Sequence, residues 1–155
     1  MSAHDAVHAV ARLRPDETGA TLRRAAVRGL ARADAELVAA IGAERPGERF
    51  VHAHLAALRA AAALVSARGT TARRGRPRTV WELLAVAAPE LAPWSSYFAG
   101  GARERSAVES GRDDAVDAER ADELLACAED FRDEVALALD PRAGFVEVPL
   151  RVAAS

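Results

Sequence analysis

Apolar residues recur every three or four positions through most of the chain, which is the period of an amphipathic α-helix. The pattern predicts helices over residues 18–42, 48–68, 79–111 and 117–139. The predicted buried stripe of the first helix consists of Leu22, Ala26, Leu30, Ala33, Leu37 and Ile41. In the second helix His54 falls on the apolar stripe, and His52 falls on a flank with Arg59 and Ser66.

Helix-capping residues and prolines predict where these helices begin and break. Thr79 and Glu82 have the spacing of a capping box, in which a side-chain oxygen and a carboxylate bond the free amides of the first turn. Pro89 and Pro93 each remove a helical hydrogen bond, so we expect a kink or a fresh start there. Asp117 is the predicted N-cap of the last helix.

Together these segments predict an all-α fold, an antiparallel bundle of four to five helices with a kinked third helix. We expect a flexible N-terminal arm over residues 1–17, the bundle over 18–140 and a tail over 141–155. Residues 144–152 alternate apolar and polar positions, and Pro149 argues against a central strand, so the tail is predicted to be extended.

Composition narrows the class of protein. Of the 155 residues 39 are Ala, all 21 basic residues are Arg, and Lys, Asn and Gln are absent. This bias is typical of a GC-rich genome and predicts an actinobacterial source. The net charge of −2 excludes a strongly basic nucleic-acid coat protein.

Charge is unevenly spread along the chain. Residues 1–100 carry 14 Arg and 9 acidic residues, whereas residues 101–140 carry 5 Arg and 13 acidic residues. The simplest interpretation is an acidic last helix beside basic neighbours, within the chain or across a dimer.

Several kinds of site are not predicted. The single cysteine, Cys127, excludes an internal disulfide and a cysteine-cluster metal site, and lies on the apolar face of the last helix. No Gly-rich phosphate loop or nucleophile elbow occurs, so we expect neither cofactor nor metal. The longest apolar run is broken by His52, His54 and Arg59, which predicts no membrane span and a cytoplasmic protein.

Three segments, residues 49–65, 76–105 and 118–139, resemble an actinobacterial branch of the HEPN domain superfamily. The box around Trp81 and Trp94 is the most distinctive part. The resemblance implies a compact helical bundle, often a homodimer. It also implies one of two activities. Many HEPN domains are metal-independent ribonucleases in which an Arg, four to six residues before a His, holds the scissile phosphate. Others lack this motif and bind RNA or protein.

Two Arg–His pairs match the implied spacing. Arg49 precedes His54 with four residues between them, and Arg45 precedes His52 with six. These four are the candidate catalytic residues. The family's motif opens the last core helix, and residues 117–139 contain no His. On a regular helix, five steps also turn Arg49 and His54 roughly 140° apart.

A basic connection lies between the second and third helices. The candidate nucleic-acid-binding residues there are Arg73, Arg74, Arg76 and Arg78. Residues 74–77, Arg-Gly-Arg-Pro, match the core of an AT-hook. The alternative is a solvated linker that forms ion pairs with the acidic last helix.

The sequence leaves three functions open. The first is a non-catalytic HEPN-like module that contacts RNA or a partner protein. The second is a toxin-like metal-independent endoribonuclease. The third is a nucleic-acid-binding accessory protein that uses the 73–78 segment.

Overall fold

The computed structural model describes residues 15–69 and 78–140, and over these residues the fold is all-α, as predicted. Five α-helices follow one another: α1 Pro15–Gly42, α2 Pro46–Arg68, α3 Val80–Ala87, α4 Ala92–Glu109 and α5 Ala118–Leu139. Short 3-10 turns at Pro89–Leu91 and Asp113–Ala115 precede α4 and α5. Residues 1–14 of the predicted arm 1–17 and the tail 141–155 lie outside the described residues, and the last three residues of that arm already belong to α1.

Helix α2 is the centre of the bundle and packs against each of the other four helices. Five of its alanines are fully buried: Ala53, Ala56, Ala57, Ala60 and Ala61. Because Ala is small and loses no side-chain entropy, neighbouring helices approach α2 closely without weakening its helical preference. The helix ends at Gly69, whose φ of 66° is the left-handed conformation that glycine adopts without strain.

Large side chains fill the part of the core where α2, α3, α4 and α5 meet. Phe50, Phe98 and Phe131 are fully buried, and Trp81 is 5% exposed. The ring centroids of Trp81 and Phe98 lie 5.3 Å apart, and those of Phe98 and Phe131 lie 5.2 Å apart. These few aromatic anchors supply the large buried area that alanine cannot.

The break between α3 and α4 follows the prediction from the prolines. Thr79 and Glu82 form the capping box that starts α3. Pro89 opens a separate 3-10 turn, and Pro93 lies in the first turn of α4, where a missing amide hydrogen costs no helical bond. The predicted kinked third helix is therefore two helices, and the break lets the aromatic residues of both meet in one core.

Helix α1 differs from its prediction at both ends of the expected stripe. Ala26, Ala33 and Leu37 are buried, but Leu22 is 37% exposed and Ile41 is 61% exposed. Val27 and Val38, on another side of the helix, are 67% and 70% exposed. Helix α1 therefore has a second apolar face that no other described element covers.

By length and hydropathy α2 is long and apolar enough to cross a membrane, contrary to the expectation from the sequence. Its apolar window is, however, 56% buried inside the bundle. A core helix of a soluble domain has the same property, and its burial here assigns α2 to the protein core.

Candidate functional site

His54, one of the candidate catalytic residues, is a core residue of α2 with 1% of its surface exposed. Its Nε2 lies 2.8 Å from the backbone oxygen of Phe98 on α4. Because a carbonyl oxygen only accepts, Nε2 must carry the hydrogen and donate it. Nδ1 is then the acceptor, and Arg105 Nη1 donates to it over 3.1 Å. Both ring nitrogens are thus occupied within the chain.

The surroundings of His54 favour its neutral form. Burial lowers the pKa of His54 below its ordinary value of 6.5, and the nearby charge of Arg105 lowers it further, against the raising effect of the bond to Phe98. A side-chain carbon added at Gly101 would meet His54 Cδ2 at 3.2 Å. Gly101 therefore lets α4 approach close enough for this bond. At neutral pH the uncharged His54 ring therefore packs in the core and forms both hydrogen bonds.

Arg49 ties the end of α1 to α5. Its guanidinium donates to the backbone oxygens of Ala40 and Ala43, at 3.3 and 2.8 Å. Its Nη1 donates to Asp122 Oδ1 over 2.6 Å. Since the last carbonyls of a helix lack partners within the helix, Arg49 acts as a C-terminal cap for α1 and orients it against α5.

The other two candidate catalytic residues have separate partners. His52 Nδ1 lies 2.7 Å from Glu36 Oε2, a contact between α2 and α1. Arg45 lies in the loop before α2, with its Nη1 4.0 Å from Asp113 Oδ2, and both side chains are 74% exposed. Arg45 and Arg49 thus pair with acidic groups, and neither is paired with the histidine that its spacing suggested.

The residue that sequence reasoning missed is Arg105, which lies 51 positions from its partner His54. Its Nε is buried with no hydrogen-bond partner among the described residues, and lies 3.8 Å from Glu109 Oε1. Phe98, Gly101 and Arg105 are spaced by three and four, so the helical period alone places Arg105 on the buried face of α4. That spacing is the signal by which the pair could have been found.

A second polar cluster surrounds Arg120 on α5. Its guanidinium donates to both carboxylate oxygens of Glu104, at 3.1 and 3.0 Å, and to Tyr97 Oη over 2.8 Å. It also lies over the ring of Phe50, 5.4 Å from the centroid. Burial raises the pKa of Tyr97 to about 12, so its hydroxyl stays protonated. The cluster joins α2, α4 and α5 and has the character of a structural network.

Of the four candidate nucleic-acid-binding residues, one lies within the described part of the chain. Arg73, Arg74 and Arg76 lie outside the described residues, and Arg78 is exposed. Arg68, which precedes the segment, donates to Glu90 and to the backbone oxygen of Ala87. This contact ties the end of α2 to the 3-10 turn after α3.

Within residues 15–69 and 78–140, no three His, Cys, Asp or Glu side chains are grouped closely enough to hold a metal ion. Cys127, expected in the core, is half-buried and packs against it.

A family model of SAV_6107-like HEPN domains matches residues 40–136, well over half of the chain. The chain belongs to this HEPN family. No curated protein and no solved structure matches it. The match begins at the end of α1 and takes in α2 to α4 and most of α5, so most of α1 lies outside the part that the HEPN model describes.

Proposed function

We propose that this HEPN-family protein is a non-catalytic module that acts in the cytoplasm through contacts with RNA or a partner protein. The observation that carries the proposal is the engagement of His54, whose two ring nitrogens are bonded to Phe98 and Arg105 while 1% of the residue is exposed. A general base must come within hydrogen-bond reach of the proton that it removes. His54 cannot do so without opening the core.

The remaining candidates also support binding over catalysis. In the HEPN ribonucleases that the resemblance implies, a histidine and an arginine act at one phosphate. Arg49 is committed to two backbone carbonyls and to Asp122, and His52 is paired with Glu36. The last helix supplies no histidine at all.

The ribonuclease alternative is tested directly by incubating the pure protein with labelled single-stranded RNA without metal ions. We expect no cleavage above the buffer blank from the wild type, His52→Ala or Arg49→Ala. Cleavage by the wild type that disappears in His52→Ala, while the variant keeps its helical circular dichroism, would establish catalysis and overturn the proposal.

We further propose that the module is a homodimer formed through the outer face of α1. Val27, Val38 and Ile41 on this face are 67%, 70% and 61% exposed, and their spacing of eleven and three places them on one side of the helix. Large exposed apolar side chains grouped on one side of a helix favour burial against another chain.

HEPN domains often form homodimers, as the sequence resemblance implies, and this favours a second copy of the same chain as the partner.

Sedimentation or light scattering at micromolar concentration tests the dimer. We expect a dimer for the wild type and a monomer for Val38→Glu. Val86→Glu is the matched control, because Val86 is 57% exposed on α3, and it should remain dimeric. A monomeric wild type, or a dimer that Val38→Glu leaves intact, would contradict this interface.

A further inference from the structure

A groove runs between α1 and α2 on a side of α1 other than its outer apolar face. It is lined by the arginines Arg28, Arg32 and Arg59 and by Ser66, over a floor of Ala25, Gly29, Ala62 and Ala63. The cavity has a volume of about 270 Å³. On each helix the lining residues are spaced i, i+3, i+4 and i+7, so one face of α1 and one face of α2 build it.

The floor of the groove is a close helix–helix approach. A Cβ added at Gly29 would lie 2.7 Å from the Cβ of Ala63, nearer than two such atoms can come. With glycine and alanine below, no bulky side chain fills the space above the helix backbones. The long arginine side chains at the rim therefore surround an open concavity.

The three groove arginines have no anionic partner among residues 15–69 and 78–140. Arg49, Arg68, Arg120 and Arg132 each form an ion pair with a carboxylate at 3.0 Å or less. Arg28, Arg32 and Arg59 are exposed and form no ion pair or side-chain hydrogen bond with any described residue. Three unneutralised cations at one concavity focus positive potential there, which attracts anions.

We propose that this groove is a binding site for phosphate groups. The planar guanidinium presents paired N–H donors that match two oxygens of a phosphate, and the Ser66 hydroxyl adds a neutral donor. Pockets for drug-sized ligands measure roughly 300–1,000 Å³. The groove, of about 270 Å³, has room for a diphosphate group between the three guanidinium groups.

A carboxylate-bearing ligand, such as an acidic peptide, is the other anion that arginine binds. Three cations around one small space favour phosphate, because a diphosphate concentrates several charges in a volume where a peptide places one carboxylate. Arg28 and Arg32 lie outside the segment that the HEPN model matches, so the site depends on α1 as well as on the HEPN core.

Binding of inorganic pyrophosphate, measured by isothermal titration calorimetry at low salt, tests the proposal. The test variant replaces Arg28, Arg32 and Arg59 with Ala. The matched control replaces Arg23, Arg103 and Arg112 with Ala. These three arginines are also exposed, so the control removes the same number of positive charges from the surface. We expect the test variant to weaken pyrophosphate binding by at least about tenfold, and the control to stay within about twofold of the wild type.

Two further ligands identify the source of the phosphate. If a short single-stranded RNA binds the wild type, and binding is lost in the test variant alone, the groove takes phosphodiesters. If pyrophosphate depends on the groove and RNA does not, it takes small phosphate compounds. The proposal is overturned if the wild type does not bind pyrophosphate, or if both triple variants lose the same affinity for it. It is also overturned if a poly-glutamate peptide binds more tightly than pyrophosphate. None of these outcomes depends on whether RNA is cleaved.

Discussion

Mild acid should destabilise this protein through one buried side chain, His54. In the neutral ring Nδ1 accepts a hydrogen bond from Arg105 over 3.1 Å. Protonation would turn that acceptor into a donor that faces a guanidinium, so the bond would be lost and two cations would meet in the core. Burial, the largest cause, and Arg105 both lower the pKa of the folded-state ring below its ordinary value of 6.5.

The sign of the effect follows from which state binds more protons. In the unfolded chain the His54 ring titrates near 6.5, and in the folded protein it titrates lower. Between these two pKa values the unfolded state holds the extra proton, so the free energy of unfolding falls as pH falls below 6.5. The steepest slope that one such group gives is about 1.4 kcal/mol per pH unit. Below the folded-state pKa the contribution of His54 becomes constant.

The measurement is urea unfolding, followed by far-ultraviolet circular dichroism, at several values between about pH 7 and pH 5, above the range where ordinary carboxylates titrate. His54→Gln removes the titrating group while its amide retains a donor for the Phe98 carbonyl. We expect the variant to be less stable at neutral pH, because a carboxamide fills the aromatic pocket less well, and to show a much flatter pH dependence than the wild type.

The control is His52→Gln, which removes the half-exposed histidine of the same helix and should leave the His54 contribution in place. The decisive quantity is the slope with pH and not the absolute stability, so a moderately destabilised variant remains informative. If His54→Gln and the wild type lose stability in parallel between pH 7 and pH 5, the buried neutral ring described above is wrong.

Three further predictions concern stability measured by the same unfolding assay. Gly29→Ala should lower the free energy of unfolding by about 1–3 kcal/mol, because the new Cβ overpacks against the facing alanine of α2. Gly100→Ala has nothing within 4 Å of the new carbon and should raise the free energy of unfolding by about 0.5–1 kcal/mol through helix propensity. A stabilised Gly29→Ala variant would refute the close approach. Arg49→Ala should lower the free energy of unfolding by about 2 kcal/mol, because the Ala43 carbonyl loses its side-chain donor and the Ala40 carbonyl keeps only the bond from the Ala43 amide. Asp122→Ala should cost less than about 1 kcal/mol because its carboxylate is 61% exposed. Equal losses would show that the ion pair outweighs the cap. Thr79→Ala should cost about 1 kcal/mol by removing the capping box, and an unchanged midpoint would contradict that role.

The helices were predictable from sequence because their signals are local. The capping box at Thr79, the N-cap at Asp117 and the breaks at Pro89 and Pro93 each depend on residues within one turn, and each appears where the sequence places it. The HEPN resemblance was likewise predictable, since it depends on the order of these same segments.

The candidate site was not predictable in the same way, because its contacts join distant parts of the chain. Counting residues between an arginine and a histidine paired Arg49 with His54. In the folded chain His54 is bonded to Arg105, and Arg49 is bonded to the end of α1 and to Asp122. Because arginine is so frequent in this chain, short spacings between an arginine and a histidine arise by chance. The packing of α4 on α2 decides which arginine reaches the His54 ring.

Helix α1 shows why composition limits what periodicity can assign. Alanine occurs on both buried and exposed helix faces. A helix with many alanines therefore has several apolar stripes of similar hydrophobicity, and the sequence does not show which of them is buried. The structure buries the side with Ala33 and Leu37 and leaves the side with Val27 and Val38 uncovered. The arginine groove lies on yet another side of the same helix. Because most of α1 precedes the matched segment 40–136, likeness to the HEPN family points to neither surface. The two surfaces proposed for binding therefore depend on how α1 is rotated against α2, and the close approach of Gly29 to Ala63 fixes that rotation.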